Sequence, residues 1–249
     1  MYKNKSISLL LPTYNEKDSI RKVINDFEKL QIIDEILVIN NNAVKGTSEE
    51  IVKTTAKEIY EPVQGYGSAI RRGLKEATGD LIAVCEPDDT FLAEDIFKLL
   101  AYIDDVDIVY SSRTVKNFIG KGANMGRFIK WGCWGLAKMI QISFNTGHLS
   151  DIGSTYRLIK KSALKKIEPN FRVNTNFFGE EMMILSYLAH IPSVQIPVNY
   201  KKRVGKSSVT GNFWCALHLG VKIIVLTFAL RFGLGSLLIP FIDYYKKVN

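Results

Sequence analysis

The sequence predicts an α/β protein with a mostly parallel central sheet and helices on both of its faces. The first observation is a continuous apolar run, Ile7–Leu11, which is closed by Pro12 and predicts a buried strand. The second is a helical spacing of apolar residues within 16–30. The third is that strand and helix patterns go on alternating as far as Tyr110, which favours parallel strands joined by helices.

The remaining elements follow from the same patterns, taken in chain order. Apolar runs bounded by polar turns predict further strands over 35–39, 59–60, 81–85, 107–110 and 194–198. Helical spacing predicts further helices over 48–57, 68–77, 92–103, 124–143 and 178–190, with Ser48 near the cap of the first of these. Residues 114–123 are rich in Gly, Lys and Asn and predict a loop.

Two tryptophans, Trp131 and Trp134, lie on the predicted helix over 124–143. We expect them to pack in the core; the alternative is an exposed apolar surface for an acceptor. The residues of this helix expected to face inward are Met125, Phe128, Ile129, Leu136 and Ile140.

The C-terminal part of the chain differs in composition, and we divide the chain into a domain over 1–210 and an apolar, basic segment over 211–249. Residues 213–232 have the length of a membrane span, but His218 and Lys222 interrupt them. Because a Lys in mid-bilayer costs about 2.5–3.5 kcal/mol, we expect residues 213–245 to form an interfacial or re-entrant attachment to the membrane. The alternative is an oligomer-forming helix pair.

The charge and the cysteines indicate the partners and the compartment. A net charge of +8 favours anionic partners, yet the basic residues lack a recognisable nucleic-acid reader fold, which argues against nucleic acid. The three cysteines, Cys85, Cys133 and Cys215, lie in apolar stretches without Cys-x-x-Cys spacing. They predict buried, reduced thiols in a cytoplasmic protein.

Three motifs at strand ends carry the chemistry. They are Pro12–Glu16 (PTYNE), the glycine-rich segment Gln64–Gly73 (QGYGSAIRRG) and Glu86–Asp89 (EPDD). Ligands collect at the carboxyl ends of strands in open α/β sheets, so these loops are expected to form one site. A glycine-rich turn beside two arginines suits a phosphate, and an acidic cluster suits a divalent cation. Together they indicate a nucleotide-linked substrate.

In order and spacing, these motifs resemble those of the family-2 glycosyltransferases, most closely the branch of dolichol-phosphate mannose synthases and related polyprenyl-phosphate transferases. The resemblance covers about residues 6–210. It implies a GT-A fold and inverting transfer from a UDP- or GDP-sugar, with Mg²⁺ or Mn²⁺. It also implies a polyprenyl phosphate or membrane-borne glycan acceptor, in cell-envelope glycan synthesis on the inner face of the membrane.

The resemblance also implies roles for individual residues. The metal ligands would be Glu86 and Asp88, with Asp88 also counted as catalytic. Contacts to the nucleotide sugar would come from Pro12, Thr13, Tyr14, Glu16, Asn40, Asn41, Gly67, Arg71, Arg113, Arg157, Arg203 and Ser207. The sequence departs from the family pattern where Asn40-Asn41 replaces two Asp, Glu86 replaces an Asp, Ser154-Thr155-Tyr156 replaces Ser-Gly-Phe and Ser208 replaces a Lys.

Acids elsewhere are candidates for the general base that deprotonates an acceptor hydroxyl. Glu180-Glu181 begins a predicted helix, and we expect Glu181 to be the base, with Asp151 as its rival. A phosphate acceptor is already an anionic nucleophile and needs no base. Two other functions stay open at this point: a nucleotidyltransferase, which would release pyrophosphate, and a non-catalytic nucleotide-sugar-binding scaffold.

Overall fold

The computed structural model describes residues 1–205 and 213–243. Its strands are β1 (Ile7–Thr13), β2 (Glu35–Asn40), β3 (Lys57–Tyr60), β4 (Leu81–Val84), β5 (Ile108–Ser112), β6 (Arg157–Lys160) and β7 (Ser193–Pro197). Its α-helices are α1 (Lys17–Glu28), α2 (Thr47–Ile51), α3 (Tyr66–Glu76), α4 (Ile96–Ile103), α5 (Arg127–Phe144), α6 (Lys161–Ile167), α7 (Phe178–Leu188), α8 (Phe213–Arg231) and α9 (Gly235–Ile242).

The strands form one sheet in the order β3-β2-β1-β4-β6-β5-β7. The pairs β1–β2, β2–β3, β1–β4 and β5–β7 are parallel, which confirms the predicted mostly parallel sheet with flanking helices. Strand β6 runs antiparallel to both of its neighbours. The carboxyl ends of β1, β2, β4 and β5 therefore lie at one edge of the sheet, and β6 begins at that edge.

Strand β6 and helix α6 were not predicted from the sequence. The strand has four residues, with Arg157 and Lys160 at its two ends, so it carries neither a long apolar run nor a clear alternation. Its burial comes from its place between β4 and β5, where Leu158 and Ile159 are fully buried. Tertiary context, not local pattern, makes this segment a strand.

The core has two layers, one on each face of the sheet. Leu9 and Leu11 in β1 pack toward α1 and α4, whereas Leu10 between them packs toward α3 and α7. This alternation follows from the period of two along a strand. Because helices cover both faces, β1 is buried along its whole length.

The expectation that both tryptophans of α5 pack in the core is wrong. Trp131 is 66% exposed and Trp134 is 43% exposed, and the two rings meet edge to face with centroids 5.6 Å apart. Met125 and Ile140 are buried as predicted, but Phe128 is half exposed. Helix α5 buries only a narrow stripe, because α7 and α8 cover one side of it.

Helices α8 and α9 form a C-terminal hairpin that packs on the domain. Ile223 and Leu226 of α8 and Ile239 of α9 join the same core layer as α3 and α7. The opposite side of α8 is apolar and exposed. Cys215, near the start of α8, is also exposed, contrary to the expected buried thiol. The predicted boundary between 210 and 211 lies outside the described residues and stays a prediction.

By length and composition alone, one helix among the described residues would be able to cross a membrane. The stretch is Trp214–Arg231, with a mean hydropathy of 1.5, and 28% of it is buried against the rest of the protein. This is weak support for a membrane helix, since core helices of soluble proteins meet the same criterion.

Candidate active site

Three carboxylates surround a single guanidinium at the carboxyl edge of the sheet. Arg203 Nη2 lies 2.8 Å from Glu16 Oε1, and Arg203 Nη1 lies 2.7 Å from Asp88 Oδ2 and 3.4 Å from Glu86 Oε2. Glu16 follows β1, whereas Glu86 and Asp88 follow β4, so neighbouring parallel strands bring them together. We call Glu16, Glu86 and Asp88 the carboxylate cluster.

Hydrogen bonds from neighbouring residues in the chain orient two of these three side chains. Glu16 Oε2 accepts the backbone N–H groups of Tyr14 and Asn15 at 2.7 and 2.9 Å. Asp88 Oδ1 accepts the N–H and the hydroxyl of Thr90 at 3.0 and 2.6 Å. These bonds leave Glu16 Oε1 and Asp88 Oδ2 directed at Arg203.

The carboxylate cluster is an electrostatically costly arrangement. Asp88 is 1% exposed, and its Oδ2 lies beside the guanidinium without forming a well-oriented hydrogen bond. Burial and the charge of Asp88 raise the pKa of Glu86. Among the described residues, one cation contacts these three acids, which leaves negative charge without full compensation and favours binding of a further cation here.

The donor set fits Mg²⁺ or Mn²⁺, which prefer carboxylate oxygens together with substrate phosphates. The described residues hold no ready-made group of three or more acidic, His or Cys side chains at metal-binding geometry. Arg203 lies between the ligands instead. Glu86 and Asp88 therefore suit a metal whose remaining ligands come from the substrate and from water.

The glycine-rich segment packs closely on the loop 172–175. Gly67 N donates to Thr175 O at 3.1 Å, and Ser68 N donates to Asn174 O at 3.0 Å. A Cβ on Gly65 would lie 2.2 Å from Asn174 O, and one on Gly67 would lie 2.7 Å from Asn174 C. Both glycines are thus required for close backbone approach.

Arg71 belongs to the same segment, on the first turns of α3. Its Nη1 donates to Asn174 Oδ1 at 2.8 Å, and the side chain is partly exposed. Since only this one hydrogen bond of the guanidinium is formed within the described residues, most of its donors remain for a ligand.

Asn40 and Asn41 use their amides within the protein. Asn41 Oδ1 accepts from Gly65 N at 2.8 Å, and its Nδ2 donates to the carbonyls of Glu61 and Val63. Asn40 Nδ2 donates to Glu58 Oε1 at 2.6 Å, and its Oδ1 accepts from the backbone of residue 43. The two amides stabilise the loop below the glycine-rich segment. Contacts from either of them to a nucleotide base stay a prediction.

Pro12, Thr13 and Tyr14 end β1 beside the carboxylate cluster. Thr13 is buried, and its carbonyl accepts the N–H of Asn41 at 3.0 Å. Tyr14 is 39% exposed, so its ring is accessible for stacking. Ser207 lies outside the described residues.

Asp151 and Arg113 form a closed ion pair beyond β5. Asp151 Oδ2 accepts Arg113 N and Nε at 2.9 and 2.8 Å, and its Oδ1 accepts Arg113 Nη2 and Gly153 N at 2.9 and 3.0 Å. Burial alone would raise the pKa of Asp151, but Arg113 and these hydrogen bonds hold it below its usual value. A fully buried carboxylate with four donors is unsuited to the role of general base.

Arg157 is also committed to the protein. Its Nη1 and Nη2 donate to the carbonyls of Gly179 and Ser154 at 3.0 and 2.9 Å, and its Nε donates to that of Thr155. The side chain is 3% exposed. This arrangement fixes the first turn of α7. The contact of Arg157 with a phosphate stays a prediction.

The two adjacent glutamates of α7 differ sharply. Glu181 Oε1 and Oε2 accept the N–H groups of Arg172 and Val173 at 2.9 and 3.0 Å, so both oxygens are used in holding a loop. Burial raises the pKa of both glutamates to about 7, at Glu180 against the opposing charges of Arg157 and Arg113. The pKa does not distinguish them, and Glu180 is the better candidate base because both oxygens of Glu181 are used in binding the loop 172–175.

Sequence reasoning did not single out several residues of this site. Tyr66 lies near Glu86, Arg157 and Glu180, which all influence the pKa of its hydroxyl. The loop 172–175 and Asp243, which binds it, also carried no signal in the sequence. The position of Tyr66 between two glycines was the signal in the sequence that could have indicated it. The role of loop 172–175 follows only from its tertiary contacts.

Comparison with known proteins gives the family. The model described as Glycosyl transferase family 2 matches residues 8–168, more than half of the chain. Protein RfbJ of Shigella flexneri is 29% identical over 115 residues, 45% of this chain and 89% of that protein. An uncharacterized glycosyltransferase of Mycobacterium tuberculosis is 31% identical over 109 residues, 43% of this chain and 49% of that protein. The match thus spans about half of the mycobacterial relative.

Solved structures agree on the fold. Glucosyl-3-phosphoglycerate synthase from Mycobacterium tuberculosis, in complex with Mn²⁺, UDP and glucosyl-3-phosphoglycerate, superposes with a TM-score of 0.69 at 17% identity. The match covers 92% of this chain and 81% of that chain. A complex of the same enzyme with Mn²⁺, UDP-glucose and phosphoglyceric acid has a TM-score of 0.69 at 15% identity, covering 92% and 80%. These likenesses confirm the predicted GT-A fold.

Proposed function

The chain belongs to glycosyl transferase family 2 and is a glycosyltransferase, and from this premise we propose the substrates and the site. The donor is a UDP- or GDP-sugar, used with Mg²⁺ or Mn²⁺, and the acceptor is a polyprenyl phosphate or a membrane-borne glycan. The observation that carries the proposal is the carboxylate cluster, three acids around Arg203 beside the glycine-rich segment. The dolichol-phosphate branch stays a prediction.

In this proposal the donor lies across the carboxyl ends of β1, β2 and β4. The nucleoside is held by Pro12–Tyr14, by the loop of Asn40 and Asn41, and by the glycine-rich segment with Gly67 and Arg71. Arg203 is the cation nearest to the diphosphate, and Arg113 keeps guanidinium N–H groups that Asp151 does not use. Complexes of the structural neighbour with UDP and UDP-glucose support a nucleotide-sugar donor.

Glu86 and Asp88 would hold the metal, with Glu16 close enough to balance Arg203. The Mn²⁺ complexes of the structural neighbour support this assignment. When bound, the divalent cation stabilises negative charge on the departing nucleoside diphosphate. Arg203 stabilises the same charge, because it is already oriented by Glu16 at 2.8 Å.

The acceptor attacks the anomeric carbon from the face opposite the leaving diphosphate, which inverts that centre. For a hydroxyl acceptor we assign the proton to Glu180, since Glu181 and Asp151 spend their oxygens on hydrogen bonds within the protein. A pKa of about 7 leaves Glu180 able to accept a proton near neutral pH. A phosphate acceptor reacts without this transfer.

Binding and product analysis test the donor. Calorimetry against UDP- and GDP-sugars, with and without Mn²⁺, should show metal-dependent binding of one donor by the wild type and none by Asp88→Ala. The matched control is Asp89→Ala, since Asp89 pairs with Lys22 and Lys201 away from Arg203. A released nucleoside diphosphate indicates sugar transfer, whereas released pyrophosphate, or no donor binding at all, contradicts the proposal.

We also propose that the protein is peripheral on the cytoplasmic face of a membrane. Exposed apolar side chains concentrate on α5, α8 and α9, among them Trp131, Trp134, Trp214, Leu217, Val221, Phe228, Phe232, Leu237 and Phe241. Patches of this extent, with aromatic residues and a net charge of +8, suit an anionic lipid surface. Because α8 packs along α5 and α7, it would lie on the bilayer and not cross it.

Vesicle flotation tests the membrane proposal. The wild type should float with vesicles that contain phosphatidylglycerol, and Trp131→Ser/Trp134→Ser should weaken this binding. A matched control is Phe97→Ser, an exposed apolar residue on α4, far from this surface in the fold. Equal binding by all variants, or a dimer that dissociates in the tryptophan variant and ignores vesicles, contradicts the proposal and favours an oligomer interface.

A further inference from the structure

Two carboxylates bind four consecutive backbone N–H groups, those of residues 172–175. Glu181, in α7, accepts the first two. Asp243, directly after α9, accepts Asn174 N at 2.7 Å on one oxygen, and Thr175 N and Oγ1 at 3.0 and 2.6 Å on the other. The loop 172–175 is therefore held jointly by the catalytic domain and by the C-terminal hairpin.

The other side of this loop faces the glycine-rich segment. The carbonyls of Asn174 and Thr175 accept the N–H groups of Ser68 and Gly67, and the Asn174 side chain accepts from Arg71. Asn174 and Thr175 thus each donate a backbone N–H to Asp243 and accept a backbone N–H from the glycine-rich segment. The path from the hairpin to the glycine-rich segment is a single layer of backbone, with contacts of 2.6–3.1 Å.

We propose that Asp243 is a positioning residue for the donor, because it fixes the loop 172–175 and, through it, the glycine-rich segment and Arg71. The inference rests on the proposed function, since it takes the glycine-rich segment as part of the donor site. It makes the C-terminal hairpin a structural part of that site, in addition to any contact with a membrane.

Charge and geometry explain why a carboxylate is needed at this position. An ionised carboxylate has only acceptor sites, and its hydrogen bonds are shorter and stronger than those of neutral groups. In Asp243→Asn, one oxygen is replaced by an NH₂ group, so a donor faces a backbone donor. The substitution keeps the size of the side chain and removes one or two of its three hydrogen bonds, depending on which oxygen is replaced, which makes it a sharp test.

Hydrogen exchange tests the link without any ligand. In Asp243→Asn the amides of Gly67, Ser68 and residues 172–175 should exchange about tenfold faster than in the wild type, because local opening becomes easier. The matched control is Asp80→Asn. Asp80 accepts the N–H and hydroxyl of Ser6 at 2.9 and 3.0 Å, the same bonding pattern at the opposite edge of the sheet. Unchanged exchange at Gly67 and Ser68 overturns the inference.

Steady-state kinetics then test the consequence. Asp243→Asn should raise the KM for the nucleotide sugar about tenfold and leave kcat at saturating donor close to wild type. A merely structural role would lower the active fraction, and so kcat, at an unchanged KM. An unchanged KM therefore overturns the inference. If the wild type binds no nucleotide sugar, the proposed function fails, and the exchange experiment alone decides whether Asp243 positions the segment.

Discussion

Two acid-bearing regions lie at the same edge of the sheet and are built in opposite ways. Asp151 accepts four hydrogen bonds, two of them from the guanidinium of Arg113, and the pKa of its carboxyl is held low. In the part of the chain that the structure describes, the carboxylate cluster has one guanidinium for three acids, and the pKa of Glu86 is raised. Within these residues the charges of the first region are balanced, whereas those of the second are not.

The difference separates structural acids from ligand-binding ones. A buried carboxylate whose lone pairs are all used holds the fold and has no oxygen left for a substrate or metal. A cluster that costs stability in the ligand-free protein gains it back when cations bind, as functional sites commonly do. Mutations in the two regions should therefore affect different measurements.

The largest effect is expected on stability, when the ion pair of Asp151 and Arg113 is disrupted. Asp151→Asn leaves the Arg113 guanidinium buried without its charge partner, and we expect a loss of about 3–5 kcal/mol in the free energy of unfolding. Urea denaturation measures it. The control is Asp107→Asn, which removes a half-exposed pair with Lys160 and should cost no more than about 1 kcal/mol. Similar losses in both variants would contradict the prediction that the buried pair of Asp151 and Arg113 contributes more to stability than the half-exposed pair.

The next effect belongs to the carboxylate cluster and should appear in catalysis. Asp88→Asn keeps an oxygen for Thr90 but removes the charge, so kcat/KM should fall by about 10²–10³-fold with little change in unfolding. Asp89→Asn, which loses only contacts with Lys22 and Lys201, should stay close to wild type. A fully active Asp88→Asn variant would contradict the assigned metal site.

The position of the carboxylate cluster was predictable from sequence, whereas its contrast with Asp151 was not. Glu86, Asp88 and Glu16 follow strands with clear apolar runs, so topology alone brought them to one edge. Arg203 is 115 residues beyond Asp88; the family resemblance implied its contact with the donor, but neither that resemblance nor a local pattern placed it among these acids. Arg157 was also chosen from the resemblance, and its hydrogen bonds to the carbonyls of Ser154, Thr155 and Gly179 depend on tertiary structure that the sequence did not reveal.

The choice among candidate bases was beyond the sequence for a simpler reason. Glu180 and Glu181 are identical in chemistry and adjacent in the chain, so only their hydrogen-bond partners distinguish them. The partners of Glu181 are backbone N–H groups in the loop 172–175, which no side-chain pattern encodes. Asp151 was a reasonable rival until its four donors were visible.

The third prediction concerns Glu180, a buried acid that, unlike Asp151, is expected to take part in catalysis. If this residue is the base for a hydroxyl acceptor, kcat/KM should fall about tenfold per pH unit below its pKa of about 7 and level off above it. The charged groups that act on it are Arg157, Arg113 and Asp151. In Glu180→Gln, the rate should fall about 10²-fold, and the decrease of kcat/KM at low pH should disappear. If the variant keeps both the wild-type rate and the decrease of kcat/KM at low pH, Glu180 is not the base.

The smallest effect tests whether the carboxylate cluster really costs stability. Glu86 lies between Asp88 and Glu16, and a neutral Gln of the same size removes repulsion while keeping an oxygen for Arg203. Glu86→Gln should leave the free energy of unfolding unchanged or raise it by up to about 1 kcal/mol, and it should weaken Mn²⁺ binding. Glu181→Gln is the matched control, because it loses an acceptor for a buried backbone N–H and should cost about 1–3 kcal/mol. If Glu86→Gln destabilises the protein as much as this control does, the carboxylate cluster stabilises the fold. The proposed contrast with the Asp151 region is then wrong.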